Sequence, residues 1–340
     1  MMRSSFSRIA CIFMFSNADA FIMSPFDKWH CIDFVKNIDK AKPYAYNIGD
    51  LPLVSWFDKT GQPQTTVNIC SHMGSTLDHG KINKEGCLVC PYHGLVHNKN
   101  KTFGQSVIFQ DKLWWSYAPV QKTPPAMPFY NSKKYETSFF SYIVKSNIID
   151  CAYNLMDVNH PAFVHNNQFG FGSNIPASDF KVIKYPKNNE KIGLSFTYST
   201  NRNLHRIKKE LRHSKKFHIF EYPYATWSRV SLPNNEQLFL NVNFLPISDN
   251  ETKMLITVKH NFWKSSLEKQ MIDFMTYCVF SQDRDQMLLQ ANETPLKKMV
   301  MHQHVMHNEE HIHMMKKMFE NYSVPNIDSV IKLYAYHLRL

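Results

Sequence analysis

Two short cysteine–histidine pairs constrain this chain more than any other feature. Cys70-Ser-His72 and Cys90-Pro-Tyr-His93 stand seventeen residues apart. Two thiols and two imidazoles, presented as two pairs from two loops, describe a metal site rather than a structural pattern. With 7 cysteines and 17 histidines in 340 residues, composition alone gives this arrangement roughly one chance in three thousand. Cys₂His₂ also suits zinc, but a zinc finger places its histidine pair after its cysteine pair, whereas here cysteine and histidine alternate.

That alternation meets the requirement of a Rieske [2Fe–2S] cluster, in which Cys70 and Cys90 hold one iron and His72 and His93 the other. Exchanging two thiolates for neutral imidazoles removes negative charge and raises the potential above that of an all-cysteine cluster. Gly74 and Gly94 suit tight loops whose N–H groups point at the sulfurs, and Pro91 stiffens the second loop. Cys87-Leu-Val-Cys90 is also a CxxC, but Cys90 has the better use, and Cys87 reads as a small buried residue.

A second constellation lies in Asn154-Leu-Met-Asp157-Val-Asn-His160-Pro-Ala-Phe-Val-His165. Asp157 and His160 share a helix face, and Pro161 predicts that the helix ends near His160, so that the chain turns back and brings His165 to the same point. Two histidines with a distant carboxylate form the facial triad of non-haem Fe(II) oxygenases. The carboxylate is sought in Phe280-Ser-Gln-Asp283-Arg-Asp285-Gln-Met287. Asp283 projects from the apolar stripe of Val279, Phe280 and Met287, where an unpaired carboxylate is costly unless it meets a metal or a cation. Asp285 is the second candidate; the plain alternative is a pair of exposed carboxylates flanking Arg284.

Around these sites the organisation is coarse but readable. Residues 1–24 form an appendage in which Arg3 and Arg8 precede the apolar Ile9–Phe15 and then Ala18-Asp-Ala20, as in a targeting segment; a disordered tail is the alternative. Short β-rich stretches run from Trp29 to about Val120, and Lys122-Thr-Pro-Pro-Ala-Met-Pro128 reads as a linker. Beyond it come a strand over 138–145, a helix over 147–159, and strands over 192–199, 217–231, 237–246 and 253–262. A long helix over 265–292 follows, capped by Ser265 or Ser266 with Glu268 just inside. No hydrophobic run is long enough to span a bilayer. The net charge of +11 admits an acidic partner, and part of it sits in the block 206–216, read as a solvated loop or helix face. No nucleic-acid motif accompanies it. His302, His304, His307, His311 and His313 are read as a histidine-rich exposed helix, although His307-Asn-Glu-Glu-His311 matches an inverted zinc-protease pattern that lacks a third ligand.

Taken together, the chain resembles the oxygenase components of Rieske non-haem iron oxygenases, especially the group containing vanillate O-demethylase and pheophorbide a oxygenase. The resemblance covers about Trp29 to Gln290 and rests on Cys70-x-His72, Cys90-Pro-Tyr-His93-Gly94, the Asp157/His160/His165 stretch and Gln282-Asp283. It implies head-to-tail homotrimers in which Asp157 bridges one subunit's cluster to a neighbour's iron, held by His160, His165 and Asp283. This chain departs from the family pattern at Ser71 and Met73 (Pro and Arg in the family), at Leu95 (Trp) and at Gln282 (Glu).

The expected fold is therefore α+β: an antiparallel β Rieske domain over 25–125, then a helix-grip (START-like) domain over 126–340 with an antiparallel sheet and a long C-terminal helix. The expected function is O₂-dependent hydroxylation, with possible demethylation, of an aromatic or tetrapyrrole-like substrate. Its cofactors would be the [2Fe–2S] cluster and mononuclear Fe(II). Lacking a nucleotide or flavin fingerprint, the chain would take electrons from a separate reductase or ferredoxin, in the cytoplasm or, if residues 1–24 are a targeting sequence, in a plastid. The rival is a Rieske electron-transfer protein whose second domain only binds.

Overall fold

A computed structural model describes residues 26–98, 102–117, 123–165, 177–185, 190–199, 213–291 and 310–337. The proposed targeting segment, most of the charge block, and His302, His304 and His307 lie outside them.

Among the described residues, the N-terminal part is built from nine short strands in three three-stranded sheets. One contains β2 (Tyr44–Ile48), β3 (Leu51–Phe57) and β4 (Pro63–Val67); a second contains β5 (Lys81–Ile82), β6 (Leu88–Val89) and β7 (Val96–His97). The third has the order β1 (His30–Phe34), β9 (Lys112–Ser116), β8 (Gln105–Phe109). The first cluster loop lies between β4 and β5, and the second joins β6 to β7. Beneath them a compact apolar group of Val54, Trp56, Leu77 and Leu88 packs around Cys70 and Cys90.

The second part is one antiparallel sheet of seven strands: β10 (Glu136–Val144), β11 (Ser178–Lys184), β12 (Lys191–Ser199), β13 (His213–Glu221), β14 (Ala225–Ser231), β15 (Gln237–Ser248) and β16 (Glu251–His260), in the order β10-β16-β15-β14-β13-β12-β11. Alternation places Ile192, Leu194, Phe220, Val242, Phe244, Ile256 and Val258 on the face that meets α1 (Ile148–Met156), α3 (Ser266–Ala291) and α4 (Glu310–Phe319). The long helix α3 starts as its sequence predicts: Glu268 Oε2 accepts from Ser265 N at 3.1 Å and from Ser265 Oγ at 2.7 Å, a capping box.

Four expectations are corrected. The single strand over 217–231 is a hairpin, β13 turning into β14, with Glu221 opposite Ala225; Pro223 inside the apolar run is the signal, because proline cannot stay in a central ladder. Lys215 and Lys216 of the charge block belong to β13, and burial lowers the Lys216 pKa to about 8. The histidine-rich helix is not wholly exposed, since His311 is fully buried. Finally, α1 ends at Met156 rather than near His160, and His160 takes a right-handed helical conformation (φ −56°, ψ −36°) directly before Pro161.

Among the contacts that tie the parts together, two stand out. The C-terminal helix α5 (Ile327–His337) buries Val330 and Leu333 against Ile48, Leu53, Phe103 and Trp115. Lys112 of β9, 1% exposed, donates from Nζ to Asn241 Oδ1 at 2.6 Å and Asn243 Oδ1 at 2.9 Å on β15.

Candidate metal centres

The two cluster loops are built alike. Cys70 N donates to Ser75 O at 2.8 Å and Gly74 N to Cys70 O at 2.9 Å; in the second loop Cys90 N donates to Leu95 O at 2.9 Å and Gly94 N to Cys90 O at 3.2 Å. Both turns close on a glycine in the left-handed region (Gly74 φ +74°, Gly94 φ +72°), a conformation a Cβ would strain. The sulfurs are buried while His72 and His93 stand exposed at the tips, their rings 4.7 Å apart. Burial works against ionisation of Cys90. Backbone N–H groups of Tyr92 and His93 and hydrogen bonds from Cys70 and Ser75 outweigh it and hold the thiol below its ordinary range. Donors aimed at a sulfur, with two imidazoles beside it, fit a [2Fe–2S] group held by two thiolates and two neutral rings.

The second site assembles from three elements. α1 stops at Asp157, whose Oδ1 accepts from Asn159 N at 2.8 Å and His160 N at 3.3 Å. That side-chain turn restarts the chain into the one-turn helix α2 (Pro161–Val164), with Pro161 at its first position, where proline is favoured. His160 and His165 therefore flank α2, and α3 brings Asp283 against both. Asp283 Oδ1 lies 3.0 Å from His165 Nε2 and 3.3 Å from His160 Nε2. Donor atoms of the three residues all lie within 4.8 Å of one another.

Tautomers decide what this arrangement can hold. His165 Nδ1 is 2.9 Å from Gln282 Oε1, and His160 Nδ1 is 3.0 Å from the Asp157 carbonyl. Both partners accept only, so each Nδ1 carries the proton and each neutral ring turns a bare Nε2 lone pair toward Asp283. Asp283, 2% exposed, consequently has a buried Oδ1 with no hydrogen-bond donor. Three lone-pair donors facing one point repel unless a cation lies between them. The charge preferences agree: burial opposes both shifts, yet the His160 pKa is raised by Asp283, and the Asp283 carboxyl is held below the usual range by the two histidines. Each group favours the state that puts positive charge between them, which fits a metal ion.

Asp285 takes no part. It is exposed and pairs with Arg284 at 3.1 Å. Asp157 is half-buried beside His160, its Oδ2 3.8 Å from His160 Nδ1. Sequence reading did not foresee that Gln282 and the Asp157 carbonyl orient the two rings. Residues adjoining a ligand, able to accept from its second ring nitrogen, were the available signal.

Comparison with known proteins now defines the class. Residues 28–106 match the Rieske [2Fe-2S] domain family, so the chain carries a Rieske domain, a [2Fe–2S]-binding unit, joined to an α+β second part. Among relatives, it is 33% identical over 69 residues to pheophorbide a oxygenase (chloroplastic) of Oryza sativa subsp. japonica, covering 20% of this chain and 13% of that protein. It is 31% identical over 65 residues to the oxygenase component of 3-ketosteroid-9-alpha-monooxygenase of Rhodococcus rhodochrous, covering 19% of this chain and 16% of that one. The alignments thus span less than a fifth of either relative's length. The crystal structure of dicamba monooxygenase bound to dicamba shares the fold over 92% of this chain and 98% of its own, with a TM-score of 0.71 at 14% identity. No described helix is long and apolar enough to cross a membrane.

Proposed function

We propose that this protein is a Rieske-type oxygenase that hydroxylates an aromatic or tetrapyrrole-like substrate with O₂, demethylation being one outcome of such a hydroxylation. The observation that carries it is the buried convergence of His160 Nε2, His165 Nε2 and an undonated Asp283 Oδ1, in a chain that also bears the two Cys–His loops. Residues 25–125 would be the cluster domain and 126–340 the oxygenase domain.

Cys70 and Cys90 would hold one iron of the cluster and His72 and His93 the other, while His160, His165 and Asp283 would hold Fe(II). When bound, the cluster would supply electrons and the mononuclear iron would supply a site for O₂ activation. The chain's own residues set the conditions. Gln282 and the Asp157 carbonyl keep both imidazoles in the metal-binding tautomer. Phe280 and Met287, three residues before and four after Asp283, are buried with it on one face of α3. Asp157, partly exposed beside His160, would be the bridge to a cluster histidine of a second copy in a homotrimer. Electrons come from a separate reductase or ferredoxin, and the +11 charge favours an acidic one. A plastid location would suit a tetrapyrrole-like substrate and the N-terminal segment.

The test is substrate-dependent O₂ uptake by the iron-loaded protein with a ferredoxin and its reductase, across aromatic acids, methyl ethers and chlorophyll-derived pigments. Product oxygenation that is lost in Asp283→Ala is expected. Cluster turnover with no substrate-dependent uptake across the panel would favour the electron-transfer protein instead.

A further inference from the structure

Two histidines near the site take no part in it as built: His218 on β13 and His311 on α4. They arrive from different elements at the same place. His311 is fully buried in the core, and its Nε2 lies 2.8 Å from the Met156 carbonyl. A carbonyl only accepts, so this nitrogen carries the ring proton. His218 has the carbonyl of the preceding residue, Leu155, as its backbone partner, while its Nδ1 is buried without one. Strand register sets it opposite Leu194 and Ser228, on the face turned toward the helices, and its ring meets Phe196 edge-on at 4.8 Å. Burial, helped by Lys216, His160 and His311, pushes the His218 pKa down to about 3, so the ring is neutral and keeps one donor.

The carbonyls they hold are those a helix end leaves without partners. The last backbone bond of α1 runs from Asp157 N to Tyr153 O at 2.8 Å, so the Leu155 and Met156 carbonyls have no intrahelical donor. Bonding both fixes the peptide planes from which Asp157 leaves the helix in an extended conformation (φ −67°, ψ 119°). The next carbonyl along, that of Asp157, accepts from His160 Nδ1 at 3.0 Å. The carbonyls that accept the His311 bond and the bond orienting a metal ligand thus belong to consecutive residues. An aliphatic side chain would fill the same core without desolvating a polar group; an imidazole there is stable because it has an acceptor to reach.

We propose that His218 and His311 are positioning residues, anchoring the end of α1 so that Asp157 and His160 keep the orientation metal binding needs; this rests on the mononuclear-iron site proposed above. The assignment also gives His311 a role other than zinc ligation. Its ring faces a carbonyl inside the core, while the neighbouring Glu310 is exposed.

The test uses the full chain with its cluster assembled and measures Fe(II) affinity by competition with a colorimetric chelator, alongside the melting temperature and the cluster's EPR signal. His311→Leu and His218→Leu are expected to weaken Fe(II) binding roughly tenfold or more, by the usual effect of groups supporting metal ligands, with the cluster signal unchanged. His311→Gln, which restores a donor of similar reach, should recover most of the loss. Leu variants that melt lower yet bind Fe(II) as wild type does would overturn the proposal, because packing alone predicts that result. Failure of Gln to rescue would overturn it as well. Should the Leu variants not fold, a folded Gln variant that binds Fe(II) within about threefold of wild type supports the proposal, and a loss of about tenfold refutes it. If wild type binds no Fe(II) beyond its cluster while His160→Ala changes nothing, the iron site itself fails; wild-type binding that is unaffected by the Leu variants defeats the positioning role alone.

Discussion

Replacing Gln282 by leucine tests how the site holds its ligands. In the native protein Gln282 Oε1 accepts from His165 Nδ1 at 2.9 Å, and the His165 side chain is only 3% exposed. Leucine keeps the volume but turns an alkyl group toward that N–H. Losing one neutral hydrogen bond at a buried donor costs about 1–3 kcal/mol. Part of the cost falls on the metal-bound state, because the ring can satisfy its N–H by turning and taking Nε2 away from Asp283. At about 1.4 kcal/mol per factor of ten, Fe(II) affinity should fall by no more than roughly five- to 150-fold, the full cost setting the upper bound. Gln282→Glu should do the opposite or nothing, since a carboxylate accepts the same bond about twice as strongly. The assay is chelator competition for Fe(II) at pH 7, with cluster EPR as the control for folding. Unchanged affinity in Gln282→Leu, with the cluster intact, would refute the claim that this bond fixes the ring.

Further outcomes follow from the same geometry. Asp283→Ala should lose the mononuclear iron and keep the cluster, whereas Asp285→Ala should keep both; metal analysis of the purified variants separates the two carboxylates. Gly94→Ala forces a Cβ into a left-handed turn at about 1–2 kcal/mol, so it should slow cluster assembly and lower the yield of acid-labile sulfide. Burial lowers the Lys112 pKa from the ordinary 10.5 to about 8. Between those values the unfolded chain binds more protons than the folded one, so the stability linked to this lysine rises with pH. The unfolding free energy of wild type relative to Lys112→Met should therefore increase by up to about 3 kcal/mol across that window; a difference that is flat with pH would contradict it.

The sites were more legible in the sequence than the fold around them. Metal ligation demands particular residue types at short spacings, so the candidate ligands Cys70, His72, Cys90, His93, His160 and His165, with Asp157 beside them, stand out as local patterns. Asp283 is visible because a carboxylate on the apolar stripe of α3 needs a partner. Tertiary bonds leave no such mark. Nothing local separates His311 from its neighbouring histidines, yet it alone is fully buried among those described. The end of α1 was misplaced because the rule against a helical residue before proline gave way to the Asp157 side-chain turn, which caps Asn159 and His160. Lys216 was misread with its charge block because the strand that carries it is defined by pairing with β12 and β14, distant in sequence.

The most direct test of two iron centres in one chain is anaerobic iron and sulfide analysis of the purified protein, together with EPR of its dithionite-reduced form. The expected result is about three irons and two acid-labile sulfides per chain, with a rhombic Rieske signal. Tightly bound zinc with no sulfide would contradict the account.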